Sequence, residues 1–412
     1  MGEQFEATPS EIAGLSKLMT DIGRDAWHAS EFIQKEGPPA EWVSAIIIDD
    51  LLDPLKSFAE LTRQRMLSIG TVTADTALEL NNAAWLYHDK DRQTYEALNR
   101  HKANLLATGD QSVPVYSDKE AVGATSPYES AAQYPKPEEV KLDAPSGNKE
   151  ELIALIGDVA PPLGAVNDTV KRLTKSVGRE YDPLGEALKP IPGNWTEIRR
   201  IGEAYKIAGE AMENCGKNLE SGVKRLDPHW NGKAALSFND WASRQVAAMQ
   251  WEGPTGRILG EALGKVSDEI RDAVRSVLKW LWELLESQVK IDGITDAFKF
   301  AFKKIPVVGW TAQITELAIK LAKIVSDALT LVDKIQKLVD ATKKFLEVIK
   351  DPAKAAQDKA DQKFEELVEP FAKGVKAADI LNDARKAADL SQTNNRPTDY
   401  DVGSGTQPWD NA

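Results

Sequence analysis

Residues 195–232 read WTEIRRIGEAYKIAGEAMENCGKNLESGVKRLDPHWNG, and this stretch decides the fold class of the chain. Apolar and small residues recur in it at intervals of three and four: Ile198, Ile201, Tyr205, Ala208, Met212, Cys215, Leu219, Gly222 and Leu226. This spacing lines one face of an α-helix and predicts that the helix packs lengthwise against another. Asp227-Pro228 and Asn231-Gly232 after the stripe predict a turn into the next helix.

Several other segments of the chain have the same spacing of apolar residues, at intervals of three and four. It runs through residues 12–33, 59–87, 152–177 and, with the cleanest pattern, 314–349. The first of these segments has a clear start, because Thr8, Pro9 and Glu11 form a capping box with proline at the first helical position. Gly37-Pro38-Pro39 should end that helix.

Glycine and proline predict the remaining breaks and contacts. Asp53-Pro54 should restart the chain after a short helix, and Gly253-Pro254 should break another one. Three glycines spaced four apart (Gly256, Gly260 and Gly264) should give a helix a narrow face that a second helix can approach closely. Since no useful β-alternation is present, we predict an all-α fold of long antiparallel helical hairpins packed as a helical bundle.

The stripes divide the chain into five parts. Residues 1–107 form an N-terminal helical hairpin, and residues 149–290 form a second helical domain. Residues 108–148 between them contain five prolines and no periodic face, which predicts a linker or an extended strap. Residues 291–390 form a C-terminal helical region, and the polar tail 391–412 should be disordered.

Composition excludes several classes of protein. The formal net charge of -13 disfavours binding to nucleic acid, because phosphate backbones are also negative. The single cysteine, Cys215, allows no intramolecular disulfide and lies within a helical stripe, so we interpret it as a buried structural residue. Charged residues interrupt residues 1–30, so we expect no cleavable signal peptide, and we expect no transmembrane anchor.

Nothing in the sequence points to catalysis. His28, His88, His101 and His229 are scattered singly, without a partner at the spacing of metal ligands. Phosphate-binding glycine loops and nucleophile elbows are absent from the sequence. We therefore expect a chain that is not an enzyme and that holds neither a metal nor a cofactor.

The turn Trp230-Asn231-Gly232 carries the first informative motif. Gly232 permits the turn between the helices, and Gly232→Val should be destabilising if the φ of this residue is positive. Trp230 can cover the open end of a helical hairpin. We expect the indole to be half buried, with one edge exposed. Together with the stripe before it, this motif resembles the WxG helical-hairpin family of the type VII (ESX) secretion system, over about residues 180–290. That resemblance implies a secreted all-α protein.

The second motif is Tyr87-x-x-x-Asp91 near the end of the first helical pair. Residues one turn apart share a helix face, so the hydroxyl and the carboxylate should lie together where a receptor can read them. An ordinary tyrosine at the edge of the core is the alternative. With Phe5-x-x-x-Pro9 and Ala83-Ala84-Trp85, residues 1–107 resemble the EspC-like secretion targets, in which Tyr-x-x-x-Asp/Glu is the export signal.

The two motifs in one chain resemble the arrangement of EspB-like proteins, in which two hairpins fuse into one bundle. The resemblance implies a non-enzymatic type VII substrate or effector, secreted or at the cell surface, whose Tyr87 and Asp91 are read by the translocase ATPase. The hairpins should dock on each other, which would make a co-secreted helical partner unnecessary, although such a partner or a homo-oligomer stays open.

A membrane-acting or pore-forming helical protein is the rival hypothesis, and a structural bundle with no secretion role, in which the motif matches are chance, is a third. Residues 294–350 contain ten lysines against six acidic residues, in a chain whose overall charge is negative. A basic amphipathic helix can lie on an anionic membrane. The alternative for this segment is a core helix whose lysine side chains extend to the solvent at its edges.

Overall fold

The computed structural model describes residues 6–39, 48–106, 126–145, 152–288 (apart from several positions between 162 and 193) and 307–350, together with Glu366 and Phe371. Throughout these residues the protein is an all-α helical bundle, as predicted. Its helices are α1 (Pro9–Glu36), α2 (Asp49–Leu106), α3 (Leu152–Val159), α4 (Pro183–Leu188), α5 (Trp195–Leu226), α6 (Lys233–Gln288) and α7 (Val307–Ile349). The predictions for residues 294–306, for the tail 391–412 and for most of 351–390 lie outside the described residues.

Helix α1 begins and ends where the sequence predicts, but its capping box does not form. Thr8 has an extended backbone and its side chain makes no cap hydrogen bond. The Glu11 carboxylate instead accepts hydrogen bonds from Arg225 of α5, at 3.2 and 3.4 Å. The backbone before α1 pairs with the WxG turn, since Thr8 N–H donates to the His229 carbonyl at 2.9 Å. Tertiary contacts therefore replace the local cap.

The two proline predictions inside helices are wrong. Helix α2 begins at Asp49 and runs through Pro54, and α6 runs through Gly253-Pro254 to Gln288. Proline removes only one backbone hydrogen bond, and a helix with strong tertiary contacts can tolerate that loss. In α6 the Thr255 hydroxyl donates to the Trp251 carbonyl at 2.8 Å and to the Glu252 carbonyl at 3.1 Å, beside the proline.

The predicted glycine face of α6 meets a matching glycine face on α5. A Cβ on Gly209 of α5 would overlap the carbonyl oxygen of Glu252, and one on Gly256 of α6 would overlap that of Tyr205. Gly202 and Gly260 also face each other, each with its added Cβ 3.1 Å from the other's carbonyl oxygen. Gly264 does not take part, because a Cβ there would meet nothing within 4 Å. Missing side chains thus let α5 and α6 come into backbone contact.

Residues 126–145 form a largely extended segment that we call the strap, and its residues 132–138 contact α1 and α5. Ala132 N–H donates to the Ser10 carbonyl at 2.8 Å. Asn218 of α5 binds both the N–H and the carbonyl of Glu138, each at 2.9 Å. The Arg225 guanidinium lies 4.3 Å from the centre of the Tyr134 ring. This part of the predicted linker is therefore an ordered strap held by α1 and α5.

The two hairpins dock on each other, as predicted. Leu15 and Leu18 of α1 pack over Gly222 of α5, and one hydrophobic core includes buried residues of α1, α2, α5, α6 and α7. An ion pair between Arg65 of α2 and the buried Glu252 of α6 joins the two hairpins. Cys215 is completely buried, and burial raises the pKa of its thiol, as befits a structural cysteine.

Candidate functional site

The WxG turn closes the hairpin of α5 and α6 at the end of the bundle where α1 begins. Residues Asp227–His229 form a single 3-10 turn, after which Trp230 is extended and Gly232 has a positive φ of 92°. Asn231 holds the segment before α1, because its side-chain oxygen accepts from Glu6 N–H at 2.8 Å. Its own N–H donates to the Glu6 carbonyl at 2.9 Å. The turn is thus fixed from two sides.

Trp230 is buried, with only 3% of its surface exposed, so the expectation of a half-exposed indole is wrong. Its ring contacts Phe238 of α6 at a centroid distance of 5.7 Å and Tyr87 of α2 at 6.5 Å. The covering by α2 explains the difference, since a hairpin of α5 and α6 alone would leave one edge of the indole open.

Tyr87 is the residue that covers it. The Trp230 indole N–H donates to the Tyr87 hydroxyl oxygen at 3.3 Å, across 143 residues of sequence. Tyr87 is 6% exposed, and burial raises the pKa of its phenol, so the hydroxyl remains protonated. The expectation that this hydroxyl is open to a receptor therefore does not hold in this conformation.

Asp91 lies one turn after Tyr87 on α2 and is exposed. Its neighbour Asp89 is paired with Arg92 at 3.6 Å, and Lys90 is exposed as well. The Tyr-x-x-x-Asp motif is thus divided between two environments. The phenol belongs to the interior contact with Trp230, and the carboxylate is the part that a partner can reach.

The start of the strap forms the rest of the site, and sequence reasoning gave these residues no role. Tyr128 of the strap is buried against Trp85 of α2, with ring centroids 4.9 Å apart. Its hydroxyl lies 3.0 Å from His88 Nδ1. Trp85 belongs to the Ala83-Ala84-Trp85 motif, but the sequence does not show that it binds the strap. An extended segment has no periodicity from which its contacts could be predicted.

Chemically, the arrangement suits recognition. Within the ranges that the structure describes, no three His, Cys, Asp or Glu side chains are grouped as metal ligands would be. The buried polar contact between Tyr87 and Trp230 is a hydrogen bond between two uncharged aromatic side chains. Such contacts fix geometry, and they leave one exposed carboxylate at a defined place.

Replacing Tyr87 with Phe tests the hydrogen bond alone. The ring would still cover Trp230, but the buried indole N–H would lose its hydroxyl acceptor. We expect Tyr87→Phe to lower the free energy of unfolding by about 1–2 kcal/mol. Urea denaturation measures this loss. A variant as stable as wild type would show that the 3.3 Å contact contributes nothing net.

Gly232→Val tests the backbone of the turn. Gly232 is the position with positive φ among the described residues, and a β-branched residue is strained there. We expect a loss of about 1–3 kcal/mol, read from thermal melting. Gly157→Val is a control for adding the same side chain, since nothing lies within 4 Å of a Cβ there. If both Gly→Val substitutions lowered the melting temperature equally, the positive φ of Gly232 would not be the cause of the loss.

Comparisons with family models, with curated proteins and with solved structures give no match.

Proposed function

We propose that this chain is a non-enzymatic substrate or effector of a type VII (ESX) secretion system. In this proposal it acts as a secreted or cell-surface protein. The translocase ATPase recognises it at the end of the bundle that carries Tyr87, Asp91, Trp230 and Gly232.

One observation carries the proposal: the contact between Tyr87 and Trp230. Two motifs that each suggest type VII secretion lie 143 residues apart in sequence, and their aromatic residues share a hydrogen bond. The docking of the two hairpins brings these two motif residues into direct contact. Their meeting supports a single composite signal at one end of the fold.

The contact also suggests how the signal works. Because Tyr87 and Trp230 are buried, the ATPase does not read them directly in the folded chain. They fix the part of α2 around Tyr87 against the WxG turn and so set the position of Asp91 one turn later. The exposed Asp91 carboxylate is then the group that the ATPase binds, and the signal is complete only in the folded protein.

A separate helical partner is not required in this scheme. Helices α1 and α2 pack along α5 and α6 and bury the apolar stripes of both hairpins. The chain therefore supplies for itself the four helices that a pair of small WxG proteins would supply together. A co-secreted partner or a homo-oligomer would have to use another surface.

Asp91→Ala is the variant that tests the proposal. A hydrogen bond to a charged group contributes about 1.5–3 kcal/mol, so we expect at least about tenfold weaker binding to the ATPase and a matching fall in export. Melting temperature should not change, because Asp91 is exposed. The matched control is Asp327→Ala, which removes an exposed carboxylate from α7. Normal export of the Asp91→Ala protein would refute the proposal.

Membrane action through residues 294–350 is a second candidate, favoured by one observation on α7. Ile319 and Leu329 are 66% and 51% exposed on a helix rich in lysine. Among the described helices, none is both long and apolar enough to cross a bilayer, so contact would be at the surface. Flotation with anionic vesicles tests it: this candidate expects co-flotation that Ile319→Ser and Leu329→Ser abolish.

A further inference from the structure

The first residues of the strap are bound to α2 by side chains that recognise backbone. Asn81 Nδ2 donates to the Ser126 carbonyl at 3.0 Å, and Asn81 Oδ1 accepts from Tyr128 N–H at 3.0 Å. The Trp85 indole N–H donates to the same Ser126 carbonyl at 2.9 Å. Three hydrogen bonds thus hold two residues of an extended segment, independently of their side chains.

Aromatic packing completes this attachment. Tyr128 lies edge-on to Trp85 and to His88, with centroid distances of 4.9 and 5.7 Å, and its hydroxyl contacts His88 Nδ1. Trp85 lies two residues before Tyr87, and His88 lies one residue after it. The same short length of α2 therefore holds the WxG turn through Tyr87 and the strap through its flanking side chains.

The attachment puts the strap beside the exposed part of the signal. His88, whose Nδ1 lies 3.0 Å from the Tyr128 hydroxyl, precedes Asp91 by three residues on α2, so the two side chains share one face of the helix. Burial is the main cause that raises the pKa of Tyr128, and the negative charge of Asp91 raises it further. Ser126, Pro127, Glu129 and Ser130 around Tyr128 are all exposed. A protein that binds Asp91 would consequently meet this strap segment as well.

We infer that residues 126–130 are part of the surface that the translocase ATPase binds, and that Asn81 and Trp85 are positioning residues that hold them beside Asp91. The inference rests on the proposed function. The partner surface should present a cationic group to Asp91 and a shallow groove to the extended strap. Two adjoining contacts would give more specificity than one carboxylate on a helix, a feature that many acidic helices share.

Two variants test the inference by binding to the purified ATPase domains and by export. Asn81→Ala/Trp85→Phe removes the three hydrogen bonds to the strap but keeps an aromatic ring against Tyr128. Glu129→Lys alters the exposed strap and leaves the core untouched. We expect both to bind the ATPase at least about tenfold more weakly than wild type, with α-helical content unchanged. Amide exchange at Tyr128 should rise in the first variant only.

Asn218→Ala is the control, because it frees the other end of the strap by removing both hydrogen bonds to Glu138. We expect it to bind the ATPase like wild type. Wild-type binding by either test variant, or an equal loss in the control, would overturn the inference. These failures differ from failure of the proposed function, in which Asp91→Ala itself would be exported normally.

Discussion

Trp230→Ala should lower the free energy of unfolding by about 3–5 kcal/mol, the usual cost of truncating a buried tryptophan. The indole is 3% exposed and contacts both Tyr87 and Phe238, so its removal leaves a cavity where α2 meets the WxG turn. The Tyr87 hydroxyl would also lose its indole donor. Urea denaturation followed by circular dichroism measures the loss.

Trp27→Ala is the matched control for this prediction. Trp27 is 38% exposed on α1 and its indole N–H donates to Thr71 at 3.3 Å, so its truncation should cost much less. If the Trp230→Ala protein were as stable as the Trp27→Ala protein, the turn would not be a structural closure. If that variant were also exported normally, the WxG motif would be a coincidence.

Gly209→Ala should destabilise the bundle although alanine is the better helix former. In an open helix the change gains up to about 1 kcal/mol. Here the new Cβ would overlap the Glu252 carbonyl oxygen, which belongs to the backbone of α6 and cannot rotate away. Helices α5 and α6 would have to separate, and overpacking of this kind costs about 1–3 kcal/mol or more. The melting temperature should fall clearly.

Gly264→Ala, in the same series of glycines on α6 as Gly256 and Gly260, should change the stability in the opposite direction. Nothing lies within 4 Å of a Cβ at this position, so the substitution should stabilise the protein slightly. The pair of variants therefore predicts opposite signs for one chemical change. A stabilised Gly209→Ala protein would mean that the two helices are not in backbone contact.

Periodicity made the helices predictable, whereas the exceptions depend on tertiary structure. The stripe from Ile198 to Leu226 corresponds to α5 because burial of one face repeats along every turn. The predicted helix break at Pro254 is wrong because a rule based on neighbouring residues takes no account of the Thr255 hydrogen bonds or of the packing against α5. Glu11 likewise has a suitable position for a cap, but the guanidinium of Arg225 competes for its carboxylate.

The candidate site was predictable in its parts and not in its assembly. Tyr87, Asp91, Trp230 and Gly232 stand out from their spacing and their residue types. That Tyr87 and Trp230 touch depends on how two hairpins dock, which no local pattern encodes. The role of Asn81 was also hidden, because a side-chain amide that binds backbone leaves no trace in the sequence of the strap it holds.

Export in the presence and absence of a type VII translocase is the sharpest test of the proposed function. The wild-type chain should be expressed at equal levels in a host with the intact system and in one whose translocase ATPase is deleted. We predict that the protein appears outside the cell only in the first host. Equal amounts outside both hosts would contradict it.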